Sequence, residues 1–365
     1  MKKYLTNDEL EKSLSIEDLT NNNQHAIGII TNEIISNLGS LYKIKPYIVR
    51  TSPIVSPIDN YNKLYYPTDT ITLSSRYTRW ISEDRILRTQ MTSCIPNELK
   101  KIENDTLLIC PGIVYRRDVV DKTHVGEPHQ MDIWKLSNTE KYDRTDLLKM
   151  VGVVVDSILP NIKWRYNETK HYYTKDGIEV EVYINGDWLE ILECGIALPK
   201  LLDDSGLDSN IWSGLAMGIG IDRSVMLRKG INDIRILRNS DDRISNQMKN
   251  LDAYKEISLQ PQIKRDMSIA VDNEIDAEQL GDVIRQLMGD DINIIETVSI
   301  KGEWSYSELP EHVSKRLGMN ESMKNILLSV IIRPIEKSMK REEANLIYNK
   351  LYNSLHEGDI GYYIM

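Results

Sequence analysis

Residues 177–195 read GIEVEVYINGDWLEILECG, and this stretch decides the fold class. Glu179, Glu181 and Tyr183 alternate with Val180, Val182 and Ile184, the two-residue period of a half-buried strand. Asn185-Gly186 is the preferred dipeptide of a two-residue hairpin turn. The chain then returns from Trp188 to Gly195, with Trp188, Glu190, Leu192 and Cys194 expected on one face. Counting outward from Ile184 facing Asp187 pairs Glu181 with Glu190. Like charges directly opposite repel. Either both carboxylates meet open water or something positive lies between them, and Mg2+ shared with a substrate's phosphates is a common partner.

Outward from this hairpin, strand-like runs alternate with loops from Thr106 to Leu237 around one clear helix, Asp146 to Leu159, with Leu147, Met150, Val151, Val154 and Ile158 on its apolar face. A second helix is expected over His25 to Leu38 from Ile27, Ile30, Ile34 and Leu38. Strands with few crossover helices predict an α+β fold on a mainly antiparallel sheet. From Ser258 the expected order is strand (Asp266 to Val271), helix (Ala277 to Met288), strand (Asn293 to Ile300), strand (Asn325 to Ile332), helix (Arg341 to Leu355) and strand (Gly361 to Ile364). That βαββαβ order is the ferredoxin-like pattern. The expected domains are therefore residues 1–257 and 258–365.

The 365 residues include 55 Asp+Glu against 45 Lys+Arg, and 41% are apolar, which suits one or two globular domains and excludes a fibre or a disordered tail. No signal peptide or membrane span is read, since the opening is polar and no 18 uncharged apolar residues run together. Cys94, Cys110 and Cys194 lie far apart, without the spacing of a zinc site or a disulfide framework, so a reducing cytoplasm is expected. There is no Phe, against 19 Tyr, 13 Met and 6 Trp. At even a one-in-fifty chance per position, a chain without Phe arises roughly once in a thousand. Drift, recoding or selection against Phe all fit. Selection would suit a protein translated while charged phenylalanyl-tRNA is scarce.

Val114 to Leu136 reads as two strands around a polar loop. On the second, Gln130, Asp132 and Trp134 share a face opposite Met131 and Ile133, and a loop centred near Thr123 sets Arg116 opposite Gln130. Arg suits phosphate or carboxylate, and Gln130 with Asp132 suits an ammonium group; a solvated hairpin fits the same pattern. Gly214 to Arg223 reads GLAMGIGIDR. Its Gly218-x-Gly220 lacks the third glycine and the βαβ setting of a dinucleotide site. The glycines allow a ligand or another backbone to approach. His124 and His129 flank Glu127 without HExxH spacing, so a zinc hydrolase is not expected.

In order along the chain, these segments resemble the signature motifs of the class II aminoacyl-tRNA synthetases, most closely the phenylalanyl-tRNA synthetase family. Asn60-Tyr61 with Leu64 and Pro67 resembles the first motif, and Leu87-Arg88-Thr89 the segment before the substrate pocket. Tyr115-Arg116-Arg117-Asp118 through His124 and His129-Gln130 resembles the second. Trp188-Leu189-Glu190-Ile191 with Cys194-Gly195 resembles the strand before the third, which Gly218 to Arg223 with Asp233-Ile234-Arg235 resembles in turn. The unit opening at Arg265-Asp266-Met267-Ser268 resembles the family's ferredoxin-like anticodon-binding domain, in the single-chain layout.

The resemblance implies an ATP- and Mg2+-dependent ligase that activates an aromatic amino acid as its adenylate and transfers it to tRNA. It implies Arg116 on the α-phosphate, with His124, Glu127, Gly218, Gly220 and Arg223 also binding ATP. It implies Gln90, Thr92, Gln130, Asp132, His171 and Tyr173 around the amino acid, and Glu181 with Glu190 on Mg2+. A homodimer is the usual use of the first motif. The chain departs from the family pattern at His171-Tyr172-Tyr173, where the family has Phe-Pro-Phe, at Gln90-Met91-Thr92, where it has His-Thr-Ser, at Pro128 for Phe and at Asp132 for Glu. Residues 258–365 carry 18 Asp+Glu and 12 Lys+Arg, a net −6, against the basic footprint of most RNA-binding domains. Two alternatives follow: an adenylating paralogue with a non-tRNA acceptor, and a catalytically silent amino-acid sensor.

Overall fold

The computed structural model describes all residues except 1–2, 68–76, 118, 120, 257–259, 336 and 362–365. Its contacts divide into two compact units. One comprises Met1–Arg116, Glu127–Ile231 and Asn246–Tyr254; the other comprises Arg117–Gly126, Asn232–Ser245 and Lys255–Met365.

The first unit is built on a seven-stranded sheet. Its strands are β1 (Tyr47–Ile48), β2 (Thr106–Ile113), β3 (His129–Ser137), β4 (Trp164–Glu168), β5 (Thr174–Ile184), β6 (Asp187–Ala197) and β7 (Ser213–Gly220), in the spatial order β1-β2-β3-β7-β6-β5-β4. Only β1 runs parallel to its neighbour. The mostly antiparallel α+β architecture is the one expected from the alternating runs.

Helix α1 (Ala26–Tyr42) buries Ile27, Ile30, Ile34 and Leu38 completely, and α2 (Arg144–Ile158) buries Leu147, Met150, Val151, Val154 and Ile158. These are the stripes that the 3- and 4-residue spacings mark out. His25 caps α1 by accepting from the Ile27 N–H, and Asp143 with Asp146 forms a capping box on α2. Both helices pack with α3 (Ile221–Lys229), whose chain leaves the sheet directly from β7.

Tyr42, at the end of α1, bears on the missing Phe. Its hydroxyl is buried without a hydrogen-bond partner among the described residues, and burial drives its pKa well above the usual phenol value. Its ring lies 5.5 Å from the Lys135 ammonium, a contact that a phenyl ring makes equally well. An unpaired buried hydroxyl costs about 1–3 kcal/mol. Tyr42→Phe is therefore expected to leave the melting temperature unchanged or raise it by a few degrees. A lower melting temperature would show that the hydroxyl is needed.

In the second unit, β8 (Ile263–Asp272), β9 (Ile295–Ser305) and β10 (Met323–Ile332) form an antiparallel sheet in the order β8-β10-β9. Helix α4 (Ala277–Met288) and helix α6 (Arg341–Leu355) have the bounds expected from sequence. A capping box of Asp276 and Gln279 starts α4. Leu280, Ile284 and Met288 of α4 join Tyr348, Leu351 and Leu355 of α6 over Met267, Ile269 and Val330 of the sheet. A further short helix, α5 (Glu311–Leu317), ends at Gly318 with φ 61° and has no periodic apolar signal long enough to announce it. The expected terminal strand from Gly361 to Ile364 falls on residues outside those described. Within this unit Arg117 forms a buried ion pair with Asp282, and the Ile234 N–H donates to the Lys122 carbonyl at 2.8 Å.

Candidate active site

The hairpin turn at Asn185-Gly186 has φ of 52° and 97°, the left-handed pair that its sequence favours. It sets Ile184 opposite Asp187 and Glu181 opposite Glu190, as counted from the sequence. Beyond this the strict alternation fails. The next pair is Val180 with Leu192, so Ile191 is an extra, bulged residue. Leu192 and Cys194, expected beside Glu190, turn into the core with Val180 and Ile178, and Glu193 comes onto the face of Glu179, Glu181 and Glu190 instead. Sequence reasoning missed Glu193 because one inserted residue reverses every later side chain.

The positive group that the Glu181–Glu190 opposition calls for is protein. Arg165 Nε lies 2.6 Å from Glu181 Oε2, Asn167 donates to the same oxygen at 3.0 Å, and the Arg165 guanidinium lies over the Trp188 ring at 4.2 Å. Glu190 receives no such donor among the described residues. Burial raises its pKa, aided by the charges of Glu193 and Glu179 and opposed by Arg223.

The neighbouring strand supplies a floor. Trp134 pairs with Ala216, Asp132 with Gly218 and Gln130 with Gly220, while on the other side of β7 Gly218 pairs with Glu193 and Ala216 with Gly195. A Cβ added at Gly220 would meet nothing within 4 Å, and one at Gly218 would meet only Asp132 Oδ1 at 3.8 Å. No packing demand of the fold explains these two glycines. They leave bare backbone between Gln130, Asp132 and Trp134 on one side and the glutamates of β6 on the other, an open trough on the sheet.

Asp132 is 2% exposed. Burial raises its pKa to about 7, against hydrogen bonds from Thr92 and from Trp134, whose Nε1 lies 3.4 Å from Oδ2. The Tyr173 ring lies 6.3 Å from that of Trp134 and 6.1 Å from that of His171. Thr174, next to Tyr173, packs where a side chain at Gly195 would be, at 2.8 Å. Gln90 is held at both ends of its amide: Nε2 donates to the Asn60 carbonyl at 2.8 Å and Oε1 accepts from the Tyr66 hydroxyl at 2.9 Å. Thr92 and Tyr173 thus lie near Asp132, with Gln130 two residues along β3 on the same face, His171 beside Tyr173, and Gln90 held by Asn60 and Tyr66.

Arg116 reaches this region by a different route from the one expected. β2 and β3 pair Gly112 with Gln130 and Ile113 with His129, so the residue opposite Gln130 is Gly112, four positions earlier than Arg116. After Val114 the chain leaves β3. The Tyr115 N–H donates to the Arg88 carbonyl at 2.8 Å, and Arg116 Nε donates to the Thr89 carbonyl at 2.9 Å. The terminal nitrogens of Arg116 make no hydrogen bond among the described residues, and its charge helps keep Glu193 ionised. Arg88, by contrast, is structural: it is buried and donates to the carbonyls of Ile113 at 2.7 Å and Thr51 at 3.0 Å.

Arg223 stands in the first turn of α3, where Nη1 donates to the Glu190 carbonyl at 3.2 Å. Its setting is fixed by Asp222, whose carboxylate accepts from the backbone and Nδ1 of the fully buried His129, while His129 Nε2 accepts from the Leu19 N–H at 3.1 Å. This Asp222–His129 link was not foreseen, and only the folded chain brings the two together. Glu127 is ion-paired with Arg79, whose Nη2 also donates to the Arg116 carbonyl at 3.1 Å. His124 belongs to the second unit and there pairs with Asp121, at 2.8 Å from Nδ1 to Oδ2.

Among the described residues no three His, Cys, Asp or Glu side chains are disposed to hold a metal ion by themselves. Mg2+ needs only one or two carboxylates when phosphates complete its shell. Glu190 fits that role, its exposed carboxylate taking no hydrogen bond among the described residues and lying near the charges of Glu193 and Glu179; Glu181, already held by Arg165, fits it less well. Among the described residues no helix is long and apolar enough to cross a membrane.

A family model for the class II core domain of tRNA synthetases (F) matches residues 9–248. The chain is 28% identical over 349 residues to a chloroplastic/mitochondrial phenylalanine–tRNA ligase of Arabidopsis thaliana, covering 92% of this chain and 77% of the relative. It is 24% identical over 393 residues to a probable mitochondrial phenylalanine–tRNA ligase of Drosophila melanogaster, covering 90% and 82%. It is 33% identical over 188 residues to a phenylalanine–tRNA ligase alpha subunit of Prochlorococcus marinus (strain MIT 9313), covering 52% and 56%. With the family model spanning well over half its length, and with His129-Gln130, Glu190 and Gly218 to Gly220 of the later motifs on neighbouring strands of one mostly antiparallel sheet, the chain belongs to the class II tRNA synthetases, core type F.

Proposed function

We propose that the chain is a phenylalanine–tRNA ligase that activates its amino acid with ATP on the trough of the first unit. The observation that carries this is the floor of Gly218 and Gly220, bare on its open side, with Asp132 and Gln130 along one edge and Glu193 and Glu190, near the charges of Arg116 and Arg223, along the other. Asp132 and Gln130 hold the amino group, which leaves the amino-acid carboxylate free to attack. Arg116 holds the α-phosphate and Arg223 the distal phosphates. The carboxylate oxygen bonds to the α-phosphorus as the bond to the bridging oxygen breaks, and pyrophosphate leaves with that electron pair. The reaction needs no protein nucleophile, because positioning and charge neutralisation carry it. Mg2+ on Glu190, when bound, neutralises triphosphate charge.

Residues 1–257 are read as the catalytic core and 258–365 as the ferredoxin-like, anticodon-binding-type domain. The order β8-β10-β9 with α4 and α6 supplies three strands and both helices of that pattern. The tRNA 3′ end is then the acceptor of the adenylate. Three free, buried cysteines accord with a reducing compartment such as the cytoplasm. The net −6 of residues 258–365 favours the non-tRNA acceptor as the competing reading.

Pyrophosphate exchange with phenylalanine, followed by charging of purified tRNA, tests this. Exchange and charging are both expected. Exchange without charging selects the non-tRNA acceptor, and no exchange with any amino acid selects the sensor.

A further inference from the structure

We propose that Asn60 is a positioning residue for adenylate formation, setting through Thr89 the direction in which Arg116 presents its guanidinium. The proposal rests on the ligase reading and names a residue that acts on the reaction only through its neighbours. Asn60 closes the short helix Pro57–Asn60 and is fully buried. Its Oδ1 accepts from the Thr89 N–H at 3.1 Å, and its Nδ2 donates to Thr89 Oγ1 at 2.8 Å. The sense of the amide is fixed by this network, because a backbone N–H can only donate. The Thr89 hydroxyl proton is then left for the Tyr61 hydroxyl, 3.3 Å away, which in turn lies 2.5 Å from Thr78 Oγ1. A residue that offers both an acceptor and a donor is needed at the head of this chain, and asparagine is one.

Thr89 lies between the short strand Ile86–Leu87 and the 3-10 helix Met91–Cys94, outside both. Its N–H is therefore met by a side chain instead of a ladder, and the two contacts with Asn60 fix how its peptide groups are turned. The carbonyl of the same residue accepts from Arg116 Nε at 2.9 Å, the one hydrogen bond that the Arg116 side chain makes among the described residues. Without the Asn60 amide, Thr89 is free to rotate, and the guanidinium turns with the carbonyl that holds it. A displacement of about 1 Å in such a group costs up to about a hundredfold in rate. The amino-acid wall is spared. Gln90 Nε2 donates to the main-chain carbonyl of Asn60 and Gln90 Oε1 accepts from Tyr66, contacts that a substitution at Asn60 retains. The effect of the Asn60 side chain is thus directed to the phosphate end of the site.

Pyrophosphate exchange with phenylalanine tests this on the full chain, in the wild type, Asn60→Ala, Arg116→Ala and the double variant. Asn60→Ala is expected to lower kcat about ten- to a hundredfold, with KM for phenylalanine within about threefold of the wild type. In the Arg116→Ala background the same change is expected to cost less than about twofold, because the group that Asn60 positions is gone. Wild-type kcat in Asn60→Ala, an equal loss in both backgrounds, or a change in KM alone overturns the proposal and leaves the ligase reading standing. A wild-type chain without exchange overturns both. Should Asn60→Ala fail to fold, Asn60→Ser, whose hydroxyl meets one of the two Thr89 groups but not both, goes through the same cycle with the same criteria.

Discussion

Replacing Arg116 by Ala is expected to lower ATP–pyrophosphate exchange by about a hundred- to a thousandfold while the protein still melts cooperatively within a few degrees of the wild type. The size follows from its place. Among the described residues Arg116 hydrogen-bonds only through Nε, toward the Thr89 carbonyl, so on the proposed reading its terminal nitrogens are available to the α-phosphate. A charge-assisted fork on a phosphate oxygen strengthens as charge moves onto the phosphates, so its loss is felt in turnover. Arg88→Ala is the matched contrast. Arg88 is 5% exposed and its donors close the carbonyls of Ile113 and Thr51, so its loss leaves buried acceptors unpaired and is expected to destabilise the chain. Exchange assays and thermal melts on both variants separate the two roles. Wild-type turnover in the Arg116 variant would refute the phosphate assignment.

The second large effect is a pH dependence in which activity and stability move oppositely. Only ionised Asp132 binds an ammonium group, and burial sets its pKa at about 7 in the empty protein. At subsaturating amino acid, kcat/KM is therefore expected to rise about tenfold between pH 6 and pH 8. For stability the sign is the reverse. The folded pKa is raised above the unfolded value of about 3.9, so the contribution is full below that value and is lost as pH rises through 7. Asp132→Asn removes the ionisation. It should flatten both profiles, raise the melting temperature of the empty protein at pH 8 relative to wild type, and lower kcat/KM at pH 8 by roughly thirty- to a thousandfold. A pH-independent wild type in both measurements would sink the assignment of the amino-group site.

The hairpin, the apolar faces of α1, α2, α4 and α6, and the polar face of Gln130 and Asp132 were legible in the amino-acid sequence, because each depends on neighbours within a few turns or on one two-residue turn. Asn185-Gly186 can adopt its left-handed pair without help from the rest of the chain, so the register near it follows. The motif order pointed to the family for a similar reason, since order along the chain survives folding unchanged. Only the tertiary structure decided that Ile191 bulges and exposes Glu193 to the trough, that Arg165 rather than an ion answers Glu181, that Arg116 runs beside residues 88–89 instead of facing Gln130, and that Asp222 grips His129. These outcomes are settled by competition between partners distant in sequence for the same few hydrogen-bonding groups, and a one-residue change in that competition reverses which side chains face the site.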